Sequence, residues 1–302
     1  MRISYIFLYL AIIVQHIALF GLPSVNLGLT SFLDGGPLRP HPGFYAHEYL
    51  SSYYAHQFID GDGHTTFGYP ARTTLKFIQE YIYQFEQNFI PHAEVGIKAL
   101  LPYSFYSHVA KNSLNIRDSG TGLGNLLLAT YLQFDPIMHN NQAIFECRFE
   151  FSAAFPIGKD KSPKATINPG SNFIFLDPYW AFTLYFTERF ATSWRIHYLW
   201  CGNNHKTGMK EGDALHANYT LEYWFSERWW AGINGYLLQQ LHNDQLNGIT
   251  VPKSRERIAS VGVGALYSYT ENTKFFTNLY IECGARNRSQ GVTFVLYLLH
   301  IF

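Results

Sequence analysis

Charged residues and cysteines are scarce in this chain of 302 residues, and long apolar runs are missing after its N-terminus. Asp, Glu, Lys and Arg make up 15% of the chain, and their formal charges cancel to zero. A neutral chain argues against nucleic acid as a partner, because binding to phosphates needs a basic surface. The lack of further apolar runs of about 20 residues argues against a bundle of membrane-spanning helices.

The cysteines and histidines give no sign of a metal or redox motif. Cys147, Cys201 and Cys283 lie far apart, and the chain has no C-x-x-C pair. The thirteen histidines are scattered, with no H-x-x-x-H pair in a helical context. The sequence therefore predicts no metal site, no cofactor and no catalytic residue.

The N-terminus carries the single long apolar run. Met1 and Arg2 form a short positive region, residues 3–20 are almost wholly apolar, and GLPS then adds small residues and a helix breaker. This layout predicts a cleavable secretory signal peptide over residues 1–24. A membrane anchor is the alternative, because about 18 apolar residues lie near the lower limit for a span.

Aromatic residues are unusually frequent. They make up 18% of the chain, with 25 Phe and 22 Tyr, which is high for a soluble protein. Few charges, many aromatic rings and no further apolar run of membrane-helix length are hard to combine in an ordinary globular domain. They fit a membrane-spanning barrel, whose strands are apolar on one face only.

Polar and apolar residues alternate along much of the chain, most clearly in FECRFEF at 145–151. A strand places the charged residues of this stretch on one face and the apolar ones on the other. Similar patterns predict about twelve strands, most of them long enough to cross a bilayer at a tilt. The predicted strands cover residues 43–58, 73–87, 93–106, 120–134, 142–157, 172–186, 190–200, 213–225, 229–241, 255–269, 274–283 and 291–302.

The predicted connections alternate in length. Those after even-numbered strands are short: 88–92, 135–141, 187–189, 226–228 and 270–273. Those after odd-numbered strands are mostly long: 59–72, 107–119, 158–171, 201–212, 242–254 and 284–290. Outer-membrane barrels have short periplasmic turns and long extracellular loops. The sequence therefore predicts an all-β fold: a transmembrane antiparallel up-and-down β-barrel of about 12 strands over residues 43–302, in the bacterial outer membrane.

The segment 25–42 precedes the first predicted strand. Its stretch DGGPLRPHPG is rich in Gly and Pro, so it favours neither a helix nor an inner strand. A barrel of twelve strands lies between the filled eight-stranded barrels and the open barrels of sixteen or more. Two interpretations stay open: the segment folds into the lumen as a plug, or it forms a periplasmic tail.

The parity of the strands also predicts which polar side chains line the lumen. Charges on the lipid face would cost about 2–4 kcal/mol each for Lys or Arg near the midplane. The polar side chains at alternate positions of each strand must therefore point into the lumen. The mixture of signs suggests ion pairs across the lumen. These pairs either form a polar path or only neutralise one another in a narrow barrel. The predicted lumen-facing residues are Lys76, Glu80, Glu94, Lys98, Glu146, Arg148, Glu150, Arg195, His197, His216, Asn218, Glu222 and Glu282.

Several stretches of the chain resemble one bacterial family, the outer-membrane proteins of the meta-pathway of phenol degradation. They are VNLGLTSFLDGGPLRPHPGFYAHEYLSSYYA (25–55), DSGTGLGNLLLATYLQFDPI (118–137), INPGSNFIFLDPYWAFTLYFT (167–187), SWRIHYLW (193–200), GDALHANYTLEYWF (212–225), GINGYLLQQL (232–241) and ARNRSQG (285–291). Together they cover nearly all of the mature chain in order. The sequence departs from the family pattern at Cys201 and in its apolar last strand.

The resemblance implies an outer-membrane barrel that moves small hydrophobic or aromatic solutes, with no catalytic motif. Its partners are then outer-membrane lipid, the barrel-assembly machinery and the solute itself. A structural or adhesive surface barrel is the alternative. A less favoured one is an outer-membrane hydrolase, which needs a Ser or Thr beside a His. Ser107-His108 is the nearest such pair, but the sequence names no third partner for it.

Overall fold

The structure is a computed structural model that describes residues 21–30, 32–36, 42–87, 89–111, 117–118, 121–158, 165–167 and 169–302. Twelve long strands dominate the part of the chain that it describes. They are β1 (Gly43–Ile59), β2 (Arg72–Gln84), β3 (Ala93–Val109), β4 (Leu126–Phe134), β5 (Gln142–Phe155), β6 (Tyr179–Thr187), β7 (Phe190–Cys201), β8 (Ala214–Trp224), β9 (Trp229–Gln240), β10 (Arg257–Ser268), β11 (Thr273–Arg286) and β12 (Arg288–Ile301).

These strands close into a single antiparallel barrel. Each strand pairs with its neighbour in sequence, and β12 pairs with β1 from Tyr45↔Ile301 to Ile59↔Arg288. Closure leaves no strand with a free edge. A β-structure in lipid must be closed in this way, because no water is present to satisfy unpaired backbone groups. The predicted up-and-down barrel of twelve strands is confirmed.

The alternation of residue types accounts for the two faces of the wall. In β5, Phe149 is 50% exposed, whereas the adjacent Glu150 is only 4% exposed. The same pattern recurs around the barrel, with large apolar side chains exposed on the outside, among them Leu128, Phe151, Ile196, Leu221, Ile233, Val263, Leu279 and Leu296. A closed barrel with an apolar outer belt is the architecture of an outer-membrane protein, so the predicted location in the outer membrane is confirmed.

The predicted starts of the fourth and sixth strands are wrong. The fourth strand begins at Leu126 rather than at residue 120, with only a two-residue strand, Gly122–Leu123, before it. The sixth begins at Tyr179 rather than 172, because Asp177-Pro178 interrupts it after the short strand Phe175–Leu176. Proline lacks the N–H that would continue the ladder.

The predicted last loop, 284–290, is also wrong. β11 continues to Arg286 and β12 starts at Arg288, so that Asn287 alone connects them. Asn287 adopts a left-handed conformation, with φ 49°, which asparagine tolerates better than most residues. The run of polar residues in this stretch suggested a loop, but β11 still pairs with β10 at Arg286 and β12 already pairs with β1 at Arg288.

Shorter strands complete the connections. Asn203–Asn204, Met209–Lys210, Gln245–Leu246 and Ile249–Thr250 form a small sheet between two long loops, Arg117–Asp118 pairs with Ala165–Ile167, and Ile137–His139 pairs with β5. Asn140 and Asn141 make the two-residue turn after His139, both with positive φ, as a tight hairpin requires. Among the described residues, no helix is long and apolar enough to cross a membrane.

Two regions of the predicted domain organisation lie partly outside the described residues. These are the signal peptide, of which residues 1–20 are not described, and the segment 25–42, of which residues 31 and 37–41 are not described. The signal peptide stays a prediction.

Candidate functional site in the barrel lumen

A buried lysine joins two carboxylates on the inner wall of the barrel. Lys98 Nζ of β3 lies 2.6 Å from Glu150 Oε1 of β5 and 3.1 Å from Glu80 Oε1 of β2. The Tyr49 hydroxyl donates to Glu80 Oε2 at 2.8 Å, and the Tyr179 hydroxyl donates to Glu150 Oε2 at 2.6 Å. These hydrogen bonds occupy the remaining carboxylate oxygens, as burial of a charged group requires.

Two arginines extend this polar layer. Arg195 of β7 pairs with Asp34 of the N-terminal segment, with Nη2 and Oδ1 3.0 Å apart, and its guanidinium lies 4.5 Å from the ring centre of Tyr179. Arg148 donates through Nε to Gln133 Oε1 at 2.8 Å. The pair between Arg195 and Asp34 is thus a charged link between the wall and the segment that precedes β1.

The N-terminal segment, described over residues 21–30 and 32–36, crosses the lumen from the end with the long connections (the loop end) to the end with the short ones (the turn end). Its first contact is Leu22 N, which donates to Glu256 Oε1 at 2.7 Å just before β10. Halfway along, Gly28 N donates to Asn218 Oδ1 at 2.8 Å. Near the turn end, Gln133 Nε2 donates to the carbonyl of Gly35 at 2.9 Å. The described part of the segment therefore lies inside the barrel.

Glycine is required where this segment meets the wall. A Cβ on Gly35 would lie 2.3 Å from Thr183 N, and a Cβ on Gly36 would lie 2.2 Å from Gln133 Oε1. Gly36 also has φ 123°, a conformation that side chains with a Cβ rarely adopt. The pair of glycines in the sequence therefore allows close backbone contact with β4 and β6.

A cavity remains between the N-terminal segment and the wall, with a volume of about 100 Å³. This is the scale of a single small molecule, since an engineered cavity of about 150 Å³ holds benzene. Phe32, Phe276 and Tyr297 supply aromatic surface, while Lys98 and Arg195 supply charge. Such a mixture of apolar surface with a few polar groups is typical of small-molecule sites.

Three more predicted lumen residues are buried acids held by hydroxyl groups. Glu146 accepts from Tyr185 at 3.0 Å, and Glu222 accepts from Ser193 at 2.7 Å. Glu282 accepts from Tyr236 at 2.7 Å and from Tyr53 at 2.9 Å.

The other predicted lumen residues make separate contacts of their own. Lys76 Nζ donates to Ser24 Oγ at 2.8 Å, and Glu94 accepts a hydrogen bond from Gln84. His197 and His216 are buried against each other, with ring centres 4.1 Å apart. All of these residues have partners on the inner wall or in the N-terminal segment, and their role as the lining of a solute path stays a prediction.

The sequence did not indicate the residues that complete these networks. Asp34 lies in the Gly- and Pro-rich segment, whose position in the lumen no periodicity could reveal. Tyr49 and Tyr179 belong to the inward parity, but the prediction counted only charged and amide or imidazole groups. Inward-facing tyrosines could have been found from parity alone.

The Ser107-His108 pair does not form a catalytic arrangement. The two residues are neighbours in β3, so their side chains point to opposite faces of the strand. The Ser107 hydroxyl is buried without a hydrogen-bond partner, and His108 is exposed. Among the described residues, no hydrogen bond connects this serine to a histidine.

Three carboxyl groups gather at the loop end. Glu211, Asp244 and Glu256 are all buried, and Asp244 accepts a hydrogen bond from Gly212 N at 2.9 Å. Burial raises the pKa of Asp244 to about 6, against the opposing effect of its hydrogen bonds. Burial, with Asp244 and Glu256 nearby, also holds the pKa of Glu211 well above its usual range. Glu256 has a cation partner, Arg288, at 2.7 Å.

Comparison with solved structures finds the same architecture in other outer-membrane proteins. An outer membrane channel from Pseudomonas putida F1 superposes with a TM-score of 0.76 at 15% identity, covering 87% of this chain and 97% of that one. The translocator domain of the autotransporter NalP from Neisseria meningitidis gives a TM-score of 0.51 at 10% identity, covering 87% and 90%. At these identities the likeness concerns the fold alone.

Comparison with curated proteins found no match. Residues 55–298, however, match the family described as "Putative MetA-pathway of phenol degradation". This range takes in most of the barrel wall, from within β1 to within β12. The chain therefore belongs to that family, as its resemblance in sequence predicted.

Proposed function

We propose that the barrel is a channel for small hydrophobic or aromatic solutes, and that the N-terminal segment narrows its lumen. The observation that carries this proposal is the cavity between the segment and the wall, which combines aromatic surface with buried ion pairs. The family description refers to phenol degradation, and the similar Pseudomonas putida structure is named an outer membrane channel. Both agree with a transport role.

The buried charges oppose free passage of ions. Lys98 and Arg195 are already paired with carboxylates, so the lumen offers little to replace the hydration shell of an ion. Removing that shell is costly unless the pore supplies equivalent contacts. A weakly polar aromatic molecule loses much less on entering such a path, and the rings of Phe32, Phe276 and Tyr297 can pack against it.

No catalytic step is part of this proposal. The pair that motivated a hydrolase, Ser107 and His108, points to opposite faces of one strand, and the similar solved structure is named a channel rather than an enzyme. A purely structural barrel remains the competing function, because the same ion pairs would also stabilise a closed wall.

The test compares the full-length protein with a variant that lacks residues 25–36. Single-channel recordings in planar bilayers measure ion conductance, and uptake of toluene or phenol is measured in cells with and without the protein. We expect low conductance from the parent, higher conductance from the deletion variant, and slower solute uptake by cells that lack the protein. A folded deletion variant that stays electrically silent, together with unchanged uptake, would favour the structural barrel.

A further inference from the structure

Two histidines and one aspartate meet in the lumen near the loop end. His197 of β7 and His216 of β8 are direct cross-strand partners, and their rings stack at an interplanar angle of 17°. Asp177, two residues before β6, has one carboxylate oxygen 2.8 Å from His216 Nε2 and the other 3.2 Å from His197 Nδ1. All three residues are buried, and their donor atoms lie within 4.8 Å of one another.

The backbone holds the aspartate in place. Asp177 N donates to the carbonyl of Ser152 in β5 at 2.9 Å, and Ser152 Oγ donates to the carbonyl of Asp177 at 2.6 Å. Tyr198 N of β7 donates to the carbonyl of Pro178 at 3.0 Å. The carboxylate is therefore fixed between two strands, and it faces the histidine pair without needing to reorient.

The hydrogen bonding of this group is incomplete. His216 Nε2 contacts Asp177, but His216 Nδ1 and both ring nitrogens of His197 are buried without a hydrogen bond of good geometry. Buried polar groups are normally satisfied, so each such group calls for an explanation. Two protonated imidazoles stacked at 4.1 Å would repel each other, which favours at least one neutral ring, the form that binds metal.

We propose that Asp177, His197 and His216 form a binding site for a divalent first-row transition-metal ion such as Zn²⁺. Two imidazoles and one carboxylate are a ligand set that suits Zn²⁺, Ni²⁺, Cu²⁺ or Fe²⁺, whereas Mg²⁺ and Ca²⁺ prefer oxygen ligands alone. Donors on one tetrahedral Zn²⁺, each at about 2.0–2.1 Å, lie roughly 3.4 Å apart. Small side-chain movements would bring these three donors to that spacing.

The surroundings accept a cation. Arg195, two residues before His197 on the same face of β7, carries a positive charge that would repel the ion. That charge is offset by Asp34 at 3.0 Å and by the Tyr179 ring. Three protein ligands leave a fourth position on the ion for water or for an oxygen atom of a solute. The site also joins β7 and β8 to the loop that precedes β6.

Sequence reasoning predicted no metal here because the three residues are far apart in the chain and follow no ligand motif. His197 and His216 become neighbours through the register of two antiparallel strands, and Asp177 reaches them from a loop. The metal site is independent of the proposed transport role, since a channel and a structural barrel could each contain the ion.

The experiment measures Zn²⁺ binding to the tag-free, folded barrel in detergent after treatment with a chelator. Isothermal titration calorimetry at pH 7.5 should give one high-affinity ion per barrel, and Mg²⁺ should give none. His216→Gln and Asp177→Asn should each weaken the binding of Zn²⁺ at least tenfold. His242→Gln is the matched control, because His242 is an exposed loop histidine that faces one carboxylate, Asp213, at 3.9 Å, and it should bind Zn²⁺ as the parent does.

Heat-modifiable migration on gels shows that each variant is folded. The absorption spectrum of the Co²⁺-loaded parent gives a readout that does not depend on any substitution, because visible bands of four-coordinate Co²⁺ indicate nitrogen and oxygen ligands in a tetrahedral site. A parent that binds no Zn²⁺ would overturn the proposal. So would an unchanged affinity in folded His216→Gln, which would place the ion elsewhere.

Discussion

A single lysine, Lys98, neutralises two carboxylates inside the barrel. Its ammonium group and the carboxylates of Glu80 and Glu150 are all more than nine-tenths buried, so solvent screens their interaction little. Removing these charges from water is costly, and close contacts between opposite charges have to offset that cost. Loss of one member therefore leaves the others as uncompensated buried charges.

Replacement of Lys98 should accordingly destabilise the barrel. We expect Lys98→Met to lower the free energy of unfolding by about 3–5 kcal/mol, the usual effect of removing one partner of a buried ion pair. Urea unfolding in lipid vesicles, followed by tryptophan fluorescence, measures this change. Lys253→Met is the control: Lys253 pairs with Asp62 in an exposed loop, where a salt bridge contributes about 0–1 kcal/mol. Equal effects of the two substitutions would contradict the structure.

The two faces of β5 give a second prediction at the scale of residues. Phe149→Arg places a charge on the exposed apolar belt and should impair assembly, at a cost of about 2–4 kcal/mol if the residue lies near the midplane. Glu150→Gln keeps a polar group in the lumen and should be much better tolerated. Membrane fractionation and heat-modifiable migration measure assembly. Similar damage from both substitutions would mean that the strand is not one-sided.

The period-2 alternation of polar and apolar residues was sufficient to identify the buried residues of β5, because successive side chains of a strand point to opposite faces. It could not identify their partners. Lys98 and Glu150 lie on strands that are not adjacent, and Asp34 reaches Arg195 from a segment without periodicity. Contacts of this kind depend on the diameter of the barrel and on the path of the segment through it.

At the scale of elements, the N-terminal segment depends on one charged contact and on close backbone packing. Asp34→Asn removes the charge that pairs with Arg195 but keeps the shape of the side chain. We expect a higher ion conductance in planar bilayers, because the segment is held less firmly in the lumen. Asp62→Asn, which breaks an exposed pair with Lys253, should leave conductance unchanged. Equal conductance of all three proteins would count against a gating role for the segment.

The carboxyl groups at the loop end predict a pH response. The pKa of Asp244 in the folded protein is about 6, above its ordinary value, so the folded loop binds its proton more tightly than the unfolded chain. The contribution of Asp244 to the stability of the folded loop therefore becomes less favourable as the pH rises from about 4 to 6. Glu211, whose pKa burial holds well above its usual range, adds to the same trend.

We therefore expect the loop around Asp244 to be more mobile at pH 7.5 than at pH 5. A spin label at Ile249→Cys, in a background without the native cysteines, reports this mobility by electron paramagnetic resonance. Asp244→Asn keeps an oxygen acceptor for Gly212 N and should reduce the pH response clearly. A response of the same size in that variant would exclude Asp244 as its source.

The elements themselves were largely predictable, because each strand is long and strictly alternating. Errors fell where other chemistry overrides the pattern: at Pro178, which interrupts a strand, and at Asn287, whose left-handed conformation closes a hairpin where polar residues suggested a loop. The small sheet that links the loops 202–213 and 241–256 was not predictable, since its strands are only two residues long.

For the whole molecule, closure of the barrel and the difference between its two ends define an orientation in the membrane. The connections 60–71, 202–213 and 241–256 lie at one end, and the connections 188–189, 225–228 and 269–272 lie at the other. In outer-membrane barrels the long connections face the exterior. The lengths alone therefore predict which end a reagent outside the cell can reach.

Cysteine labelling on whole cells tests this orientation. In a background without the native cysteines, Lys206→Cys in a long connection should react with a membrane-impermeant maleimide. Glu227→Cys in a short turn should react only after the outer membrane has been permeabilised, because it faces the periplasm. Val261→Cys on the lipid-facing side of β10 is the control and should stay unlabelled in both conditions, since its side chain lies in hydrocarbon. Labelling of Glu227→Cys but not of Lys206→Cys on intact cells would reverse the orientation, and with it the direction in which the N-terminal segment spans the lumen.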